Sequence, residues 1–312
     1  MRPQVAIIIV NWNGKQDTLA CLSSLRLDRY PSKQILVVDN GSGDQSPAAI
    51  RRSFPEVTLI ETGANLGFTG GNNVGIRRAL KDGAHYLYLM NNDTVSEPAA
   101  LCRLVEVAES DPRIALVTPV IHYFDRPGDV WFAGASINLA RGDAAHDNRR
   151  VPSRADPPRE IPWASGCAML VKADWMRALG GFDERYFLMW EDVDLCLRLR
   201  KLGGSIVLVP AARVWHKVSR SLAKPSTNAW YYYIRNNLLM LRLHAAGDYP
   251  TASVLIVARR LREALREIRS GWSGVQRLAA TARAVRDHLI GRYGPLPRNG
   301  GGPTGPVGGE GP

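Results

Sequence analysis

The sequence contains no apolar run near the ~18 residues that a membrane-spanning helix needs. Its longest candidate, Val5 to Val10, has the length of a strand. The pattern of a secretory leader is missing too. Met1-Arg2-Pro3-Gln4 leads straight into that apolar stretch, and no small-residue cleavage site follows it. Cysteine is scarce: Cys21, Cys102, Cys167 and Cys196 lie far apart and form no CxxC pair. That spacing argues against a disulfide framework and a zinc site, and for reduced, mostly buried thiols in a cytosolic protein. Lysine is absent between residues 250 and 298, where ten arginines face only Glu263, Glu267 and Asp287, so most of the net charge of +11 sits near the C-terminus. Such asymmetry fits an anionic partner: a membrane surface, a nucleic acid or a polyanionic substrate.

With 312 residues, 45% hydrophobic and 22% charged, the chain has room for one large domain or two modest ones. Strand and helix signals alternate through the first 120 residues. The apolar runs Val5–Val10, Ile35–Val38, Val57–Ile60, His85–Met90 and Ile114–Val117 predict strands buried on both faces. Helical signals fall between them, at Asp17–Leu25, Asn73–Leu80 and Pro98–Ser110. This alternation predicts an α/β fold with a doubly wound, mainly parallel sheet, whose ligands bind beyond the C-terminal strand ends. Residues 125–160 are polar and rich in Gly, Pro and Arg, and read as an irregular surface excursion. A helix is expected from Glu191 to Leu202, a strand at Ile206–Val209 and helical structure from Leu238 to Ile290.

Residues with chemical potential gather at the expected strand ends. In Val10-Asn11-Trp12-Asn13-Gly14 the glycine allows backbone conformations closed to other residues, and the asparagines can bond a base or ribose. An ordinary polar turn describes the same residues. Asp39, in Val37-Val38-Asp39-Asn40-Gly41-Ser42, is placed either to bond a nucleoside or to make an Asx turn. In Asn65-Leu66-Gly67-Phe68-Thr69-Gly70-Gly71-Asn72-Asn73-Val74-Gly75, glycines and asparagines surround a helix start and let backbone approach a ligand. No Gly-x-Gly-x-x-Gly follows the first strand and no Gly-Lys-Ser/Thr follows the glycines, which excludes a dinucleotide fingerprint and a P-loop. Met90-Asn91-Asn92-Asp93-Thr94 offers one carboxylate, enough for a hard cation that also takes phosphate and water. Finally, Trp190-Glu191-Asp192-Val193-Asp194 puts three carboxylates directly after the aromatic run Tyr186–Trp190. It reads either as an acidic helix start or as a site.

Taken in order, these motifs resemble the family 2 glycosyltransferases with a GT-A fold, closest to the rhamnosyltransferase-like branch, from Val5 to about His244. The resemblance implies donor nucleotide contacts at Asn11, Asn13, Gly14, Asp39, Asn65, Gly67, Asn72 and Asn92. It makes Asp93 the main ligand of a divalent ion, Mg²⁺ or Mn²⁺, although Asn91 replaces the first acid of the family's Asp-x-Asp motif, and it makes His216 a further candidate ligand. Asp192 would be the catalytic base, with Glu191 orienting the acceptor; Asp194 is as well explained as a brace of the helix. Trp163, Ser165, Gly166 and Trp190 would line the acceptor or donor-sugar cleft. Arg235 and Asn236 match a further family segment, in which the arginine would contact phosphate or make a structural ion pair.

The expected organisation is then a catalytic domain over 1–245, with a nucleotide-binding half over 1–120 and an acceptor-side half over 160–245. A basic helical extension over 246–294 and a disordered Gly/Pro tail over 295–312 follow. The expected activity is inverting transfer of a sugar, rhamnose from dTDP-rhamnose as first choice, from a nucleotide-diphosphate donor to a glycan or lipid-linked saccharide in cell-surface polysaccharide synthesis. The alternatives are a nucleotidyltransferase, which should carry a basic glycine-rich loop after the first strand, and a non-catalytic nucleic-acid-binding protein. No nucleic-acid recognition module is apparent, and no nucleic-acid partner is expected. In the extension, Leu261, Leu265 and Ile268 share one helical face amid arginines, and Leu278, Val285 and Leu289 repeat the pattern. That arrangement predicts either peripheral membrane contact through 250–292, on the cytoplasmic face of the plasma membrane, or helices packed with a solvated arginine face.

Overall fold

The computed structural model describes residues 2–218, 226–268 and 273–296. In chain order the strands are β1 (Val5–Asn11), β2 (Lys33–Asp39), β3 (Thr58–Glu61), β4 (Tyr86–Asn91), β5 (Thr94–Ser96), β6 (Ile114–Tyr123), β7 (Val130–Phe132), β8 (Ala135–Asn138), β9 (Asp143–His146), β10 (Arg159–Glu160), β11 (Ala168–Lys172) and β12 (Ser205–His216). The helices are α1 (Lys15–Arg26), α2 (Ser46–Ser53), α3 (Gly67–Lys81), α4 (Ala100–Ser110), α5 (Ala173–Leu179), α6 (Glu191–Lys201), α7 (Thr227–His244), α8 (Tyr249–Ile268) and α9 (Ser273–Leu289). The chain divides into two compact units. The first holds the described residues up to Ser136, then His146–Asp183 and Asp192–Val218. The second holds Ile137–Ala145, Glu184–Glu191 and the described residues from 226 onward.

The first unit is built on one sheet with strand order β10-β12-β6-β11-β4-β1-β2-β3. Six of these eight strands point the same way; β11 and β10 run against them. β1 and β4 are almost wholly buried, as expected for apolar strands covered on both faces. The parallel register pairs Asn11 with Asp39 and Val10 with Asn91, so the polar ends of β1, β2 and β4 lie side by side at one sheet edge. β12 runs well past the Ile206–Val209 expected from sequence. A register shift between Val209 and Arg213 absorbs Pro210, which has no N–H to give to the ladder. The extension carries His216 into pairing with Thr94 of β5.

α3 begins at Gly67, six residues before the expected start, so the glycine-rich motif is itself helical. Packing explains why a helix tolerates these residues. A Cβ on Gly75 would lie 2.5 Å from Ile8 Cγ2, and one on Gly71 would lie 2.8 Å from Val10 Cγ1. Only glycine lets α3 press this closely on β1, and that contact overrides glycine's poor helix propensity. The excursion over 125–160 is also more ordered than expected, holding β7, β8, β9 and β10.

In the second unit α9 packs on α7 and α8. α7, which the sequence reading assigns to the catalytic domain, therefore groups with the basic helices. Phe187, Trp230, Tyr231, Tyr232, Ile234 and Leu238 form the apolar core of this unit, with Ala280 and Ala284 from α9. From residue 297 onward the expected disordered tail lies outside the described residues. Cys21, Cys167 and Cys196 are buried and Cys102 half-buried, all as free thiols. Burial, the largest influence, pushes the Cys21 thiol up to about 12, so it stays protonated.

Candidate active site

At the strand ends of the first unit the polar side chains form one hydrogen-bonded knot. Asn11 Nδ2 donates to Asp39 Oδ1 (2.8 Å) and Ser42 Oγ (3.0 Å). Asn11 Oδ1 accepts from Thr18 Oγ1 (2.7 Å) and from the Gly14 N–H (3.2 Å). The Ser42 N–H in turn donates to Asp39 Oδ2 (2.9 Å). Asn13, at φ 52°, accepts the Gly43 N–H on its side chain and donates its own N–H to Ser42 Oγ. Asn92 Nδ2 reaches the same knot through Thr18 Oγ1 at 3.0 Å, and a Cβ on Gly14 would stand 2.2 Å from that nitrogen. Asn11 is fully buried with every side-chain atom engaged. In this arrangement it orients Asp39 and Ser42, while the surface is left to Asn13 and its neighbours. Thr18 belongs to the site although no motif contained it, and Ser42, the last residue of the second motif, joins Asn11, Asn13 and Asp39.

The third motif is tied to this edge from behind. Asn40 Nδ2 donates to Gly67 O (2.8 Å), and Asn65 Oδ1 accepts the Gly67 N–H (2.8 Å). Asn72 Nδ2 bonds back to Phe68 O (2.9 Å) within the helix. Asn73 clamps the backbone of Phe182 through both its N–H and its carbonyl.

Asp93 occupies the turn between β4 and β5. Its Oδ1 lies 3.1 Å from His216 Nε2. Burial works against the imidazolium, yet Cys167 and the Asp93 carboxylate outweigh it and hold His216 well above the ordinary histidine range, at about 11. His216 Nδ1 is buried and has no hydrogen-bond partner among the described residues. Two cis ligands of an octahedral ion, each ~2.1 Å from it, stand about 3 Å apart. One carboxylate oxygen and one imidazole nitrogen at 3.1 Å therefore fit a divalent cation that also binds oxygen from elsewhere. Among the described residues no group of three or more His, Cys, Asp or Glu side chains is placed to hold a metal without such help.

Asp192 stands in the first turn of α6. Its Oδ2 accepts the Gly166 N–H (3.0 Å) and its Oδ1 the Val193 N–H (2.8 Å). Gly166 also faces Phe68: a Cβ there would lie 3.1 Å from the Phe68 ring and 3.6 Å from Asp192 Cβ. The glycine of the expected cleft, the aromatic residue of the third motif and the expected base thus meet. Asp192 is half-buried, and burial raises its carboxyl against the opposing pull of the two N–H groups and His146. Asp194 is fully buried and accepts from Arg198 Nε (2.7 Å), while Arg198 also holds Leu179 O and Gly181 O. It braces the helix.

An aromatic group drawn largely from the expected irregular excursion joins these parts. Trp131 lies edge-on to His216 (centroids 4.7 Å apart) and to His146 (4.6 Å). His146 also contacts Phe132 and Trp163, and its Nδ1 is 2.9 Å from Trp131 O. Trp163 Nε1 donates to Ser136 O (3.0 Å), and Ser165 Oγ accepts the Cys167 N–H (3.3 Å). Trp131 and His146 escaped the sequence reading. Their only signal was an aromatic pair and a lone histidine in an otherwise polar stretch.

Trp190 and Glu191 fall in the second unit, both buried, with Trp190 edge-on to Tyr233. The segment before them is held in an unusual backbone state: Phe187, Met189 and Trp190 all have φ between 63° and 72°. Asn236 Nδ2 donates to the carbonyls of Tyr186 (2.7 Å), Leu188 (2.6 Å) and Met189 (3.0 Å). Arg235, fully buried, donates to Arg185 O, Tyr186 O and Gly294 O and lies over the rings of Tyr231 and Tyr232. It serves backbone carbonyls, where the sequence reading had a phosphate or a carboxylate.

A family model described as "Glycosyltransferase like family 2" matches residues 3–238. The chain belongs to that family. This glycosyltransferase is 32% identical over 249 residues to the N-acetylglucosaminyl-diphospho-decaprenol L-rhamnosyltransferase of Mycobacterium tuberculosis, a match covering 72% of the chain and 79% of that protein. It is 24% identical over 293 residues to a low-salt glycan biosynthesis hexosyltransferase of Haloferax volcanii, covering 89% and 86%. Among solved structures, the glycosyltransferase superposes on a mannosyltransferase of Pyrobaculum calidifontis in complex with GDP-Man and Mn²⁺ (TM-score 0.58, 17% identity, 94% of this chain and 89% of that one). It also superposes on GalNAc-T7 with UDP, GalNAc and Mn²⁺ (TM-score 0.63, 14% identity, 92% and 54%). The fold is GT-A. Family membership decides for sugar transfer over nucleotidyl transfer and over a non-catalytic nucleic-acid-binding role. Among the described residues no helix is long and apolar enough to cross a membrane.

Proposed function

We propose that this glycosyltransferase moves a sugar, rhamnose from dTDP-rhamnose as first candidate, onto a lipid-linked saccharide with inversion at the anomeric carbon, at the cytoplasmic face of the plasma membrane. The observation that carries the reading is Asp192, with both carboxylate oxygens oriented by backbone N–H groups. It lies in the same compact unit as the Asp39 knot and the Asp93–His216 pair. The curated relative from M. tuberculosis, whose name specifies L-rhamnosyl transfer to a GlcNAc-diphospho-decaprenol, supports the choice of sugar and acceptor.

Asp39, Asn13, Gly14 and Asn92, with Asn65 just before α3 and Gly67 and Asn72 on it, bind and orient the donor nucleotide. Asn11 acts through Asp39. Asp93 and His216 would hold Mg²⁺ or Mn²⁺, which when bound would supply positive charge for the leaving diphosphate in place of a general acid. Asp192 takes the proton of the acceptor hydroxyl as that oxygen attacks the face opposite the leaving group, which inverts the configuration. Glu191 supports the acceptor. Trp163, Ser165 and Gly166 line the sugar cleft.

The test is a screen of dTDP-, UDP- and GDP-sugars for thermal stabilisation with Mn²⁺, followed by transfer to a short-chain GlcNAc-diphospho-lipid. Stabilisation by dTDP-rhamnose and a rhamnosylated product support the full reading. Stabilisation by another donor alone replaces the sugar, and no product with any donor overturns the acceptor.

A further inference from the structure

Five α8 residues, Val254, Ala258, Leu261, Leu265 and Ile268, follow one another at steps of four and three and so form a single row about 21 Å long. A row of this kind normally faces a core. Here it faces outward: Val254 is 69% exposed, Leu265 54%, Ile268 38% and Leu261 37%. The buried side of the helix is supplied instead by Ala252, Ile256 and Ala264.

The charges around the row are sorted. All three acids of the basic segment are consumed by arginines within the unit: Glu263 by Arg260, Glu267 by Arg277 and Asp287 by Arg286. Arg259 pairs with Asp143, and Arg260 also lies over the Tyr233 ring. Arg262 and Arg266, one turn apart along the margin of the apolar row, are exposed and have no ion-pair partner among the described residues.

We propose that this face of α8 docks on an anionic lipid bilayer, lying in the plane of the surface. Apolar side chains would enter the acyl boundary while Arg262 and Arg266 stay with the phosphates, the arrangement an in-plane amphipathic helix requires. Charge decides the occupant. A second copy laid face to face would bring two pairs of uncompensated arginines together, whereas an anionic surface neutralises them. The inference deepens the reading of a lipid-linked acceptor and rests on that reading for its purpose, since docking confines the enzyme to the surface that holds the acceptor.

The experiment uses the full chain with vesicles of phosphatidylcholine alone and with added phosphatidylglycerol, read by co-sedimentation. Two double variants, Leu261→Glu with Leu265→Glu and Arg262→Glu with Arg266→Glu, change only exposed positions; circular dichroism and melting check their fold. The expected result is binding that requires phosphatidylglycerol, weakens with salt and falls more than about tenfold in each variant. Equal binding by both variants, or equal binding to both vesicle types, overturns the proposal. So does a parent protein that ignores vesicles but dimerises through this face, as judged by loss of the dimer in the leucine variant. Transfer to a water-soluble short-chain acceptor separates the two readings. Vesicle binding without transfer sinks the functional reading alone; transfer without vesicle binding sinks the docking surface alone.

Discussion

The backbone N–H of Gly166 donates to Asp192 Oδ2 across 3.0 Å. With the Val193 N–H on the other oxygen, it fixes the plane of a carboxylate that burial would otherwise drive toward its neutral form. Both donors are main-chain groups, so no rotamer besides that of Asp192 itself has to be correct for the carboxylate to be oriented.

Asp192→Asn keeps the shape and the oxygen that accepts from Gly166 but cannot take a proton. Transfer should fall by about 10²–10⁴-fold in kcat while nucleotide-sugar binding, followed by calorimetry, stays within a few-fold of the parent. Near-parental turnover on the true acceptor would remove Asp192 from the role of base.

As the proposed base, the same residue should set the acid limb of the pH profile. A base works only when ionised, and the folded Asp192 carboxyl is raised, first by burial. Activity should therefore decline with falling pH at a point above the ordinary aspartate value of about 4. The stability consequence has the opposite sense to a salt-bridged aspartate. A raised folded pKa means that ionisation costs stability, increasingly as pH rises from the unfolded value to the folded one. Asp192→Asn removes that cost but turns an NH2 toward the Val193 N–H, so the pH dependence is the readout: the variant's melting temperature should fall less than the parent's as pH rises from about 4 to about 8. An equal pH dependence in the two proteins contradicts the burial argument.

Asp93→Ala and His216→Ala each remove one of two donors standing 3.1 Å apart. Mn²⁺-dependent stabilisation by nucleotide sugar should weaken more than about tenfold in either variant, with metal-free melting changed much less. Unchanged Mn²⁺ dependence in His216→Ala would leave Asp93 as the only protein ligand.

Gly75→Ala tests the close packing of α3 on β1. The new methyl meets Ile8 at 2.5 Å and Val38 at 3.2 Å in a buried layer. Overpacking costs about 1–3 kcal/mol and exceeds the gain of roughly 1 kcal/mol from helix propensity. Chemical denaturation should show a net loss; a stabilised variant would mean that α3 is free to shift.

Asn236 supplies one amide group to three carbonyls in a segment with three left-handed non-glycine residues. Asn236→Ala strands those carbonyls, and the loss should be about 2–4 kcal/mol in urea unfolding. Asn236→Asp presents an oxygen where an N–H is needed and should be no better. Parental stability in the aspartate variant would show that the bonds carry little.

Much of the site was legible because its chemistry lies at strand ends, where apolar runs stop and polar residues begin. The strands that end at Asn11 and Asp39, and the strand that leads into the Asp93 turn, are announced by their own buried residues. His146 and Trp131 were not legible. Their stretch is polar and aperiodic, and only long-range contacts with Trp163 and His216 give them a place. The glycines at 71 and 75 were misread for a similar reason: a residue without a side chain does not declare which neighbour needs the space.

The sequence by itself determined the parallel α/β core, the order of the motifs and the carboxylates able to act, because burial and backbone permissiveness are local properties of residue types. Tertiary structure alone decided that Asn11 serves Asp39, that Arg235 holds carbonyls where a phosphate contact or an ion pair was expected, and that the apolar row of α8 faces outward. Each of those outcomes depends on which partner a side chain meets across tens of residues, and that information resides in the packing.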